Sequence, residues 1–421
     1  MPVSHLWARP GAFVKPRGPR RALSEAGARL RHNPWLRRVR RIILHIGADK
    51  CGSTSIQAYL SRRPVLSTDS GSKKLFYACL HEEGLLLGEA IQKHLGRSIS
   101  ASFNSLGLQP LRQLNERDRA LIARQISSCR SDLILSCEGW LRSFARRDAL
   151  DLLLEILTPR GVHRAVELIA FVRPPVGWIN SAWWQWGAWE WEGAFDDWLS
   201  RAIQACCWER CLEPVRSHPG IQRLQVEPVR GDVVVQLQRL LAIDVRSAVK
   251  PAATAGGEGV GGGSLEDGKD RSNVSLPAEA LHLYQRFRDL RPGPHTCRSD
   301  YLILPAVARN ASAYRPTPWV LRPEHIERIL AETRESNTRL LDLLDPTARL
   351  QMLDDPLWWH SEAYADKVAS EPFDAAAAGS LNYEQFAYDL LRQLGLAVRV
   401  LQSHDLVDVY QRSTLRAAAA P

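Results

Sequence analysis

Three short, continuous apolar runs, each followed by a turn, constrain the fold more than any other feature of this sequence. They occupy residues 41–47, 132–136 and 166–172, and segments with a helical spacing of apolar residues lie between them. Strands that are apolar on both faces are typical of a parallel sheet covered by helices on both sides. The sequence therefore predicts an α/β fold, a three-layer sandwich with a central parallel sheet.

Polar residues follow the ends of these runs. Gly47, Glu138 and Arg173 lie at or just past the last residues of the first, second and third run. Ligands of parallel sheets bind outside the carboxyl ends of the strands. We therefore expect these three residues to converge on one crevice.

Other segments complete the predicted domain. A fourth strand is predicted near residues 221–226, and helices at residues 53–62, 116–128, 147–157, 232–241, 277–289, 323–344 and 383–396. Residues 252–273 are rich in glycine and poor in apolar residues, which indicates a flexible loop. The predicted domain spans residues 41–345, and residues 346–421 are expected to form a helical C-terminal extension.

The net charge of +9 comes from the N-terminus. Residues 1–41 hold eleven Arg or Lys residues against one acidic residue, Glu25, and the rest of the chain is close to neutral. The folded part is therefore not expected to bind nucleic acid. Residues 1–40, rich in Pro, Gly and Arg, are expected to be a disordered basic arm; contact of this arm with an anionic membrane surface or a nucleic acid is the alternative.

Apolar runs and cysteines bear on location and metal binding. No run approaches the roughly 18 apolar residues of a membrane helix, and the N-terminus lacks the apolar stretch of a signal peptide, so a cytoplasmic location is expected. The eight cysteines are scattered and are expected to be reduced thiols. Cys206, Cys207 and Cys211 are close in sequence, but no partner follows at zinc spacing, so no metal site is expected.

The segment between the first run and its helix has the composition of an anion-binding loop. From Gly47 to Thr54 it reads G-A-D-K-C-G-S-T. Backbone N–H groups at the start of a helix favour a bound phosphate, Lys50 adds a cation, Gly52 permits close approach, and Ser53 adds a hydroxyl. In a Walker A loop the lysine directly follows the second glycine, whereas Lys50 precedes Gly52 by two residues. An ordinary ATP-binding loop is therefore disfavoured.

This loop resembles the 5′-phosphosulfate-binding loop of sulfotransferases, whose pattern is P-K-x-G-T-T before a helix. Here it reads D-K-C-G-S-T, and the flanking L-H-I-G and S-I-Q-A-Y-L are similar to bacterial members of that family, in which Gln57 has a counterpart. Asp49 replaces the usual proline, and its carboxylate is unfavourable beside an anion unless it points away. The resemblance implies a P-loop-type sulfotransferase fold. It also implies that 3′-phosphoadenylyl sulfate (PAPS) binds through Lys50, Cys51, Gly52, Ser53 and Thr54.

A second motif follows the third run. Arg173 and Ser181 stand eight residues apart across a strand-to-helix turn, where a guanidinium and a hydroxyl can hold one phosphate. The segment resembles the family's 3′-phosphate-binding motif, R-[DN]-P followed by a serine at the same separation, although Pro174 replaces Asp or Asn. Lys269 and Arg271 resemble a later basic loop that folds over the nucleotide. They are candidates for phosphate contact, and simple solvation is the alternative.

Sulfuryl transfer needs a base for the acceptor hydroxyl and a cation for the leaving phosphate oxygen, and in principle no metal. Lys50 suits the second role. Glu138, in L-S-C-E-G-W directly after the second run, is the candidate base, and similar bacterial proteins often carry S-x-E at this point. A Glu138 that is buried, partnered or caps a helix is the alternative. His45 lies within the first run and is expected to pack.

Tryptophan is concentrated in one segment, with eight of the fourteen residues between Trp178 and Trp208. Indole rings are good platforms for sugars, although clustered aromatic residues also fill cores and interfaces. Trp183, Trp184 and their neighbours cannot all share one helical face, so some are expected to be exposed or to contact a partner. This favours a saccharide as the hydroxyl acceptor. Two other functions stay open: a P-loop kinase or other nucleotide enzyme, and a non-catalytic, aromatic-rich binding protein that retains the fold.

Overall fold

The computed structural model describes residues 40–68, 74–96, 102–159, 164–243, 276–291, 300–310, 317–367 and 382–403. Packing separates Met1–Arg40 from Arg41–Pro421, and apart from Arg40 every described residue belongs to the second unit. Residues 1–39 of the predicted arm and the glycine-rich loop at residues 252–273 lie outside the described residues.

The described strands form one seven-stranded sheet. They are β1 (Arg40–His45), β2 (Val65–Ser67), β3 (Lys74–His81), β4 (Gly84–Leu87), β5 (Asp132–Ser136), β6 (Arg164–Val172) and β7 (Arg223–Pro228). The order is β2-β3-β5-β1-β6-β7, and β4 pairs with β3. β3 and β5, β5 and β1, and β6 and β7 are parallel pairs, whereas β2 and β4 run antiparallel to β3. The predicted central parallel sheet is confirmed in part: the sheet is mostly parallel, but β2 and β4 are antiparallel, and the sequence prediction lacked β2, β3 and β4.

Helices connect and cover the strands. They are α1 (Ser53–Arg62), α2 (Glu89–Leu95), α3 (Leu108–Gln113), α4 (Glu116–Ser128), α5 (Trp140–Ser143), α6 (Arg147–Leu157), α7 (Pro175–Ala182), α8 (Ala188–Glu190), α9 (Phe195–Ala205), α10 (Trp208–Arg216), α11 (Val233–Leu240), α12 (Ala278–Arg286), α13 (Asp300–Asn310), α14 (Pro323–Leu340), α15 (Pro346–Asp354) and α16 (Tyr383–Ser403). A π-helical turn, Trp183–Gly187, joins α7 to α8. Across the stretches that the structure describes, none of the helices has both the length and the apolar character needed to cross a membrane.

Burial of β1 explains why the fold has layers on both sides of the sheet. Four consecutive residues, from Ile42 to His45, are at most 1% exposed. Because successive side chains of a strand point to opposite faces, this burial needs a covering layer on each face. Residues 133–136 of β5 and 168–172 of β6, the neighbours of β1, are buried in the same way. The first, second and third apolar runs are thus the three adjacent strands at the centre of the sheet.

The chain beyond residue 345 also contributes to the packing. Trp358 and Tyr364 are buried in the same core as the sheet. Phe386 of α16 packs in a second cluster with Tyr284 of α12 and Ile303 of α13. The residues predicted as a C-terminal extension therefore take part in both clusters.

Candidate active site

The loop between β1 and α1 has a backbone that few residue types adopt. Lys50 has φ +63° and Gly52 has φ +86°, both in the left-handed region. A Cβ atom on Gly52 would lie 2.6 Å from Cγ1 of Val233, at the start of α11, so glycine is required there by space as well as by conformation. No side-chain hydrogen bond caps α1, and the positive end of this helix adjoins the loop.

Lys50 is the point at which the two sequence motifs meet. Its backbone N–H donates to Oε1 of Glu138 (3.3 Å), and its carbonyl oxygen accepts from Nη1 of Arg173 (3.0 Å). The loops after β1, β5 and β6 are therefore joined at one residue. This is the convergence expected of residues at the carboxyl ends of adjacent parallel strands.

Glu138 is a partly buried carboxyl group that titrates near neutrality. Its pKa rises from 4.5 to about 7, chiefly because burial penalises the charged form and also because the Asp49 carboxylate lies nearby. The Lys50 N–H and ammonium and the Arg142 guanidinium act in the opposite direction. Burial likewise lowers the pKa of Lys50, and the Glu138 carboxylate opposes that effect. The site thus pairs a carboxyl group whose pKa is about 7 with a cation.

Asp49, the residue that departs most from the sulfotransferase loop, is neutralised by a distant partner. Arg142 of α5 donates from Nε to Asp49 Oδ2 (2.8 Å). The guanidinium of Arg142 in turn lies over the Trp178 ring, 5.2 Å from its centre. The Asp49 carboxylate is therefore engaged in an ion pair, which answers the electrostatic objection that the sequence raised.

Arg173 and Ser181 both lie beside Gly177 in α7. A Cβ atom on Gly177 would be 3.3 Å from Nη2 of Arg173, and Ser181 Oγ donates to the Gly177 carbonyl (3.1 Å). The structure thus brings the guanidinium and the hydroxyl to the same turn of helix. To donate to a phosphate, the Ser181 hydroxyl would have to leave its backbone partner.

Cys51 differs from its neighbours in the loop. Its backbone N–H donates to the Ala48 carbonyl (3.2 Å), so this donor closes the turn and is not directed outward. Its side chain is 1% exposed, and burial raises the pKa of the thiol to about 12. Cys51 therefore fills space beneath the loop as a neutral thiol.

Arg291 is a buried cation outside the sequence motifs whose charge acts on Lys50. It is 6% exposed, pairs with Asp300 (3.5 Å from Nε to Oδ2), and lies over the Trp189 ring at 5.3 Å. Its charge acts to lower the pKa of Lys50, which places it in the field of the loop. Only the tertiary fold brings it there, because its local sequence has no phosphate motif. Lys269 and Arg271, the predicted basic loop, lie outside the described residues.

Two tryptophans of the cluster support the loops. The indole N–H of Trp178 donates to the Asp49 carbonyl (2.7 Å), and that of Trp208 donates to the Arg173 carbonyl (3.1 Å). The two rings meet edge to face at 5.4 Å, and both are at most 2% exposed. A buried pair of indoles therefore holds the backbone of both motifs.

The remaining tryptophans of α7, the π-helical turn and α8 are not exposed. Trp184 is buried, and Trp183, Trp186 and Trp189 are partly buried. The π-helical turn widens the helix, and a Cβ atom on Gly187 would lie 2.2 Å from the Trp183 ring. The expectation that some of them would be exposed or would contact a partner assumed a regular helix. The wider turn, with glycine at its end, lets them pack together instead.

Comparison of the sequence with protein-family models and with curated proteins found no match. Among solved structures, the chain is similar to the crystal structure of a sulfotransferase from Alicyclobacillus acidocaldarius. The identity is 13%, the TM-score is 0.34, and the match covers 74% of this chain and 99% of that chain. A TM-score this low does not establish a shared fold, so the function of this chain has to be inferred from its own site.

Proposed function

We propose that this chain is a sulfotransferase that moves a sulfuryl group from PAPS to a hydroxyl group of an acceptor. The observation that supports this proposal is the meeting of Glu138 and Arg173 at Lys50, 88 and 123 residues away in sequence. This meeting brings together an anion-binding loop, a second phosphate ligand and a titratable carboxyl group. Their order along the chain is that of the sulfotransferase motifs.

In this proposal PAPS occupies two anion sites. The 5′-phosphosulfate binds to Lys50 and to residues 52–54 at the start of α1, where backbone N–H groups and the Lys50 ammonium favour negative charge, and Cys51 packs beneath the loop. The 3′-phosphate binds to Arg173 and Ser181, whose guanidinium and hydroxyl lie beside Gly177. Two separate phosphate sites suit PAPS, whereas ATP has no 3′-phosphate for the second.

The proposed reaction is an in-line transfer. Glu138 takes the proton of the acceptor hydroxyl as its oxygen attacks sulfur, and a base with a pKa of about 7 is suited to this near neutral pH. The new S–O bond forms while the bond from sulfur to the bridging phosphate oxygen breaks. Adenosine 3′,5′-bisphosphate leaves with the electron pair, and Lys50 stabilises the charge that develops on its oxygen.

A saccharide hydroxyl is the proposed acceptor. Trp186 and Trp189 are only partly buried, so both residues retain some accessible surface. Trp189 also contacts Arg291, whose charge acts on Lys50. Indole faces bind sugar rings through apolar contact, which supports this class of acceptor.

Isothermal titration with two nucleotides tests the donor assignment. Adenosine 3′,5′-bisphosphate should bind about ten- to a hundredfold more tightly than adenosine 5′-monophosphate, because only the first can engage Arg173 through a 3′-phosphate. Arg173→Ala should reduce this preference, whereas Lys50→Ala should weaken both nucleotides. Arg112→Ala is the control, because Arg112 is 43% exposed and pairs with Asp148.

Two results would contradict the proposed function. If Arg173→Ala kept the wild-type preference for adenosine 3′,5′-bisphosphate over adenosine 5′-monophosphate, Arg173 would not be the ligand of a 3′-phosphate. Stabilisation by ATP with Mg²⁺, but not by adenosine 3′,5′-bisphosphate, would favour a kinase or another nucleotide enzyme.

A further inference from the structure

His45 lies beneath the loop with one ring nitrogen unpaired. It is fully buried in β1, and its Nδ1 is 2.8 Å from the Ser136 hydroxyl oxygen of β5. Its Nε2 has no hydrogen-bond partner among the described residues. A buried polar atom without a partner costs free energy, so this atom calls for an explanation.

The surroundings of Ser136 indicate which ring nitrogen carries the proton. Burial lowers the pKa of His45 to about 3, so the ring is neutral and has one N–H. Gln57 of α1 donates from Nε2 to the Ser136 oxygen (3.1 Å). The Ser136 hydrogen is then best directed at His45 Nδ1, since this is the acceptor in reach. The proton of the ring consequently resides on Nε2, which is a donor.

His45 Nε2 faces the anion-binding loop. A Cβ atom on Gly47 would lie 2.9 Å from His45 Nε2 and 2.3 Å from the Ser53 hydroxyl oxygen, so both groups border the same space beside Gly47. The bond that Ser53 makes in the structure is weak, because its hydroxyl is 3.5 Å from the Ala48 carbonyl. Ser53 is therefore able to turn toward His45 with little loss.

We propose that Gln57, Ser136, His45 and Ser53 form a directional hydrogen-bond relay that ends on the bound anion. Each group accepts a hydrogen bond from the one before it and donates to the next, so His45 Nε2–H donates to Ser53 Oγ. The Ser53 hydrogen then points at an oxygen of the phosphosulfate. His45 is a positioning residue in this relay, and aligned donors of this kind strengthen one another when the last acceptor is an anion.

The relay rests on the proposed function for its ligand, but its direction can be tested without one. Nitrogen NMR of the free protein distinguishes the two neutral forms of the His45 ring. We expect the proton on Nε2, and a proton on Nδ1 would overturn the relay. The ring-nitrogen signal of His45 is identified by its absence from the spectrum of His45→Phe.

Affinity measurements test the last step of the relay. His45→Phe and Ser136→Ala should each weaken adenosine 3′,5′-bisphosphate about tenfold, the factor of one hydrogen bond to a charged acceptor. His45→Gln, which can place an amide donor near the Nε2 position, should recover part of the affinity. Ser61→Ala is the matched control, because Ser61 is a fully buried serine of α1 that bonds to Phe103 and not to the relay.

A double-mutant cycle separates a relay from a purely structural role. If His45 acts through Ser53, His45→Phe should cause no further loss of affinity in the Ser53→Ala background. Additive losses would overturn the relay while leaving the proposed function in place. If the wild-type chain does not bind adenosine 3′,5′-bisphosphate, the proposed function fails, and the position of the His45 proton still decides the direction of the relay.

Discussion

Ionisation of Glu138 lowers the stability of the folded protein. Its folded pKa of about 7 exceeds its ordinary value of 4.5, so the folded protein holds this proton more tightly than the unfolded chain does. The stability from this proton is fully present below about pH 4.5 and is lost as the pH rises through 7, which amounts to about 3 kcal/mol. The folded protein is thus less stable with Glu138 in the carboxylate form, which is the form that the proposed reaction needs.

We therefore expect Glu138→Gln to stabilise the protein at high pH. Above about pH 7 its free energy of unfolding should exceed that of the wild type by about 2–3 kcal/mol, and below about pH 4.5 the two should agree. The glutamine oxygen can still accept from the Lys50 N–H, so the loop is retained. Urea unfolding across this pH range gives the difference, and a difference independent of pH would show that the Glu138 pKa is not raised.

The ion pair between Arg142 and Asp49 is expected to support nucleotide binding. In Arg142→Met the Asp49 carboxylate loses its partner beside the loop, so we expect adenosine 3′,5′-bisphosphate to bind about tenfold more weakly. Asp49→Asn should restore the affinity in the Arg142→Met background, because it removes the unpaired charge. Titration calorimetry on both variants checks this, and failure of the second change to restore binding would mean that Arg142 acts in some other way.

The elements around the loops are held by the two indoles of Trp178 and Trp208. Trp178→Phe and Trp208→Phe each leave a partly buried carbonyl without this donor, at Asp49 and at Arg173. We expect each to lower the free energy of unfolding by about 2 kcal/mol and to weaken adenosine 3′,5′-bisphosphate. Trp191→Phe is the control, since its indole donates to Ala194 (2.9 Å) and to neither loop. Unchanged nucleotide affinity in both variants would show that the indoles stabilise the fold without positioning the loops.

Elements with strong local patterns could be predicted from the sequence. The helices Ser53–Arg62, Glu116–Ser128 and Arg147–Leu157 have the predicted bounds, because their apolar spacing is regular. The strands β2 and β4 are only three and four residues long, and their antiparallel pairing with β3 depends on tertiary contacts. The π-helical turn likewise depends on packing of the tryptophans, which no regular periodicity encodes.

The order of the strands in the sheet brings the residues of the candidate site together. β5 and β6 flank β1, so the loops that follow these three strands lie at one edge of the sheet. The convergence of Lys50, Glu138 and Arg173 was predictable because it follows from the parallel-sheet rule. The positions of Arg142 and Arg291 were not predictable, because each residue is brought near Lys50 by a helix or loop that has no motif of its own. The saccharide acceptor, the cytoplasmic location and the membrane contact of the basic arm stay predictions.

Whether this chain is a sulfotransferase is measured by the transfer of radiolabelled sulfate from PAPS to a panel of saccharides and other hydroxyl compounds. The wild-type chain should label at least one acceptor. Glu138→Gln should bind adenosine 3′,5′-bisphosphate with unchanged affinity but transfer label at least about a hundredfold more slowly, because it lacks the base. A wild-type chain that transfers no more label than Glu138→Gln would contradict the proposed sulfotransferase function with Glu138 as its base.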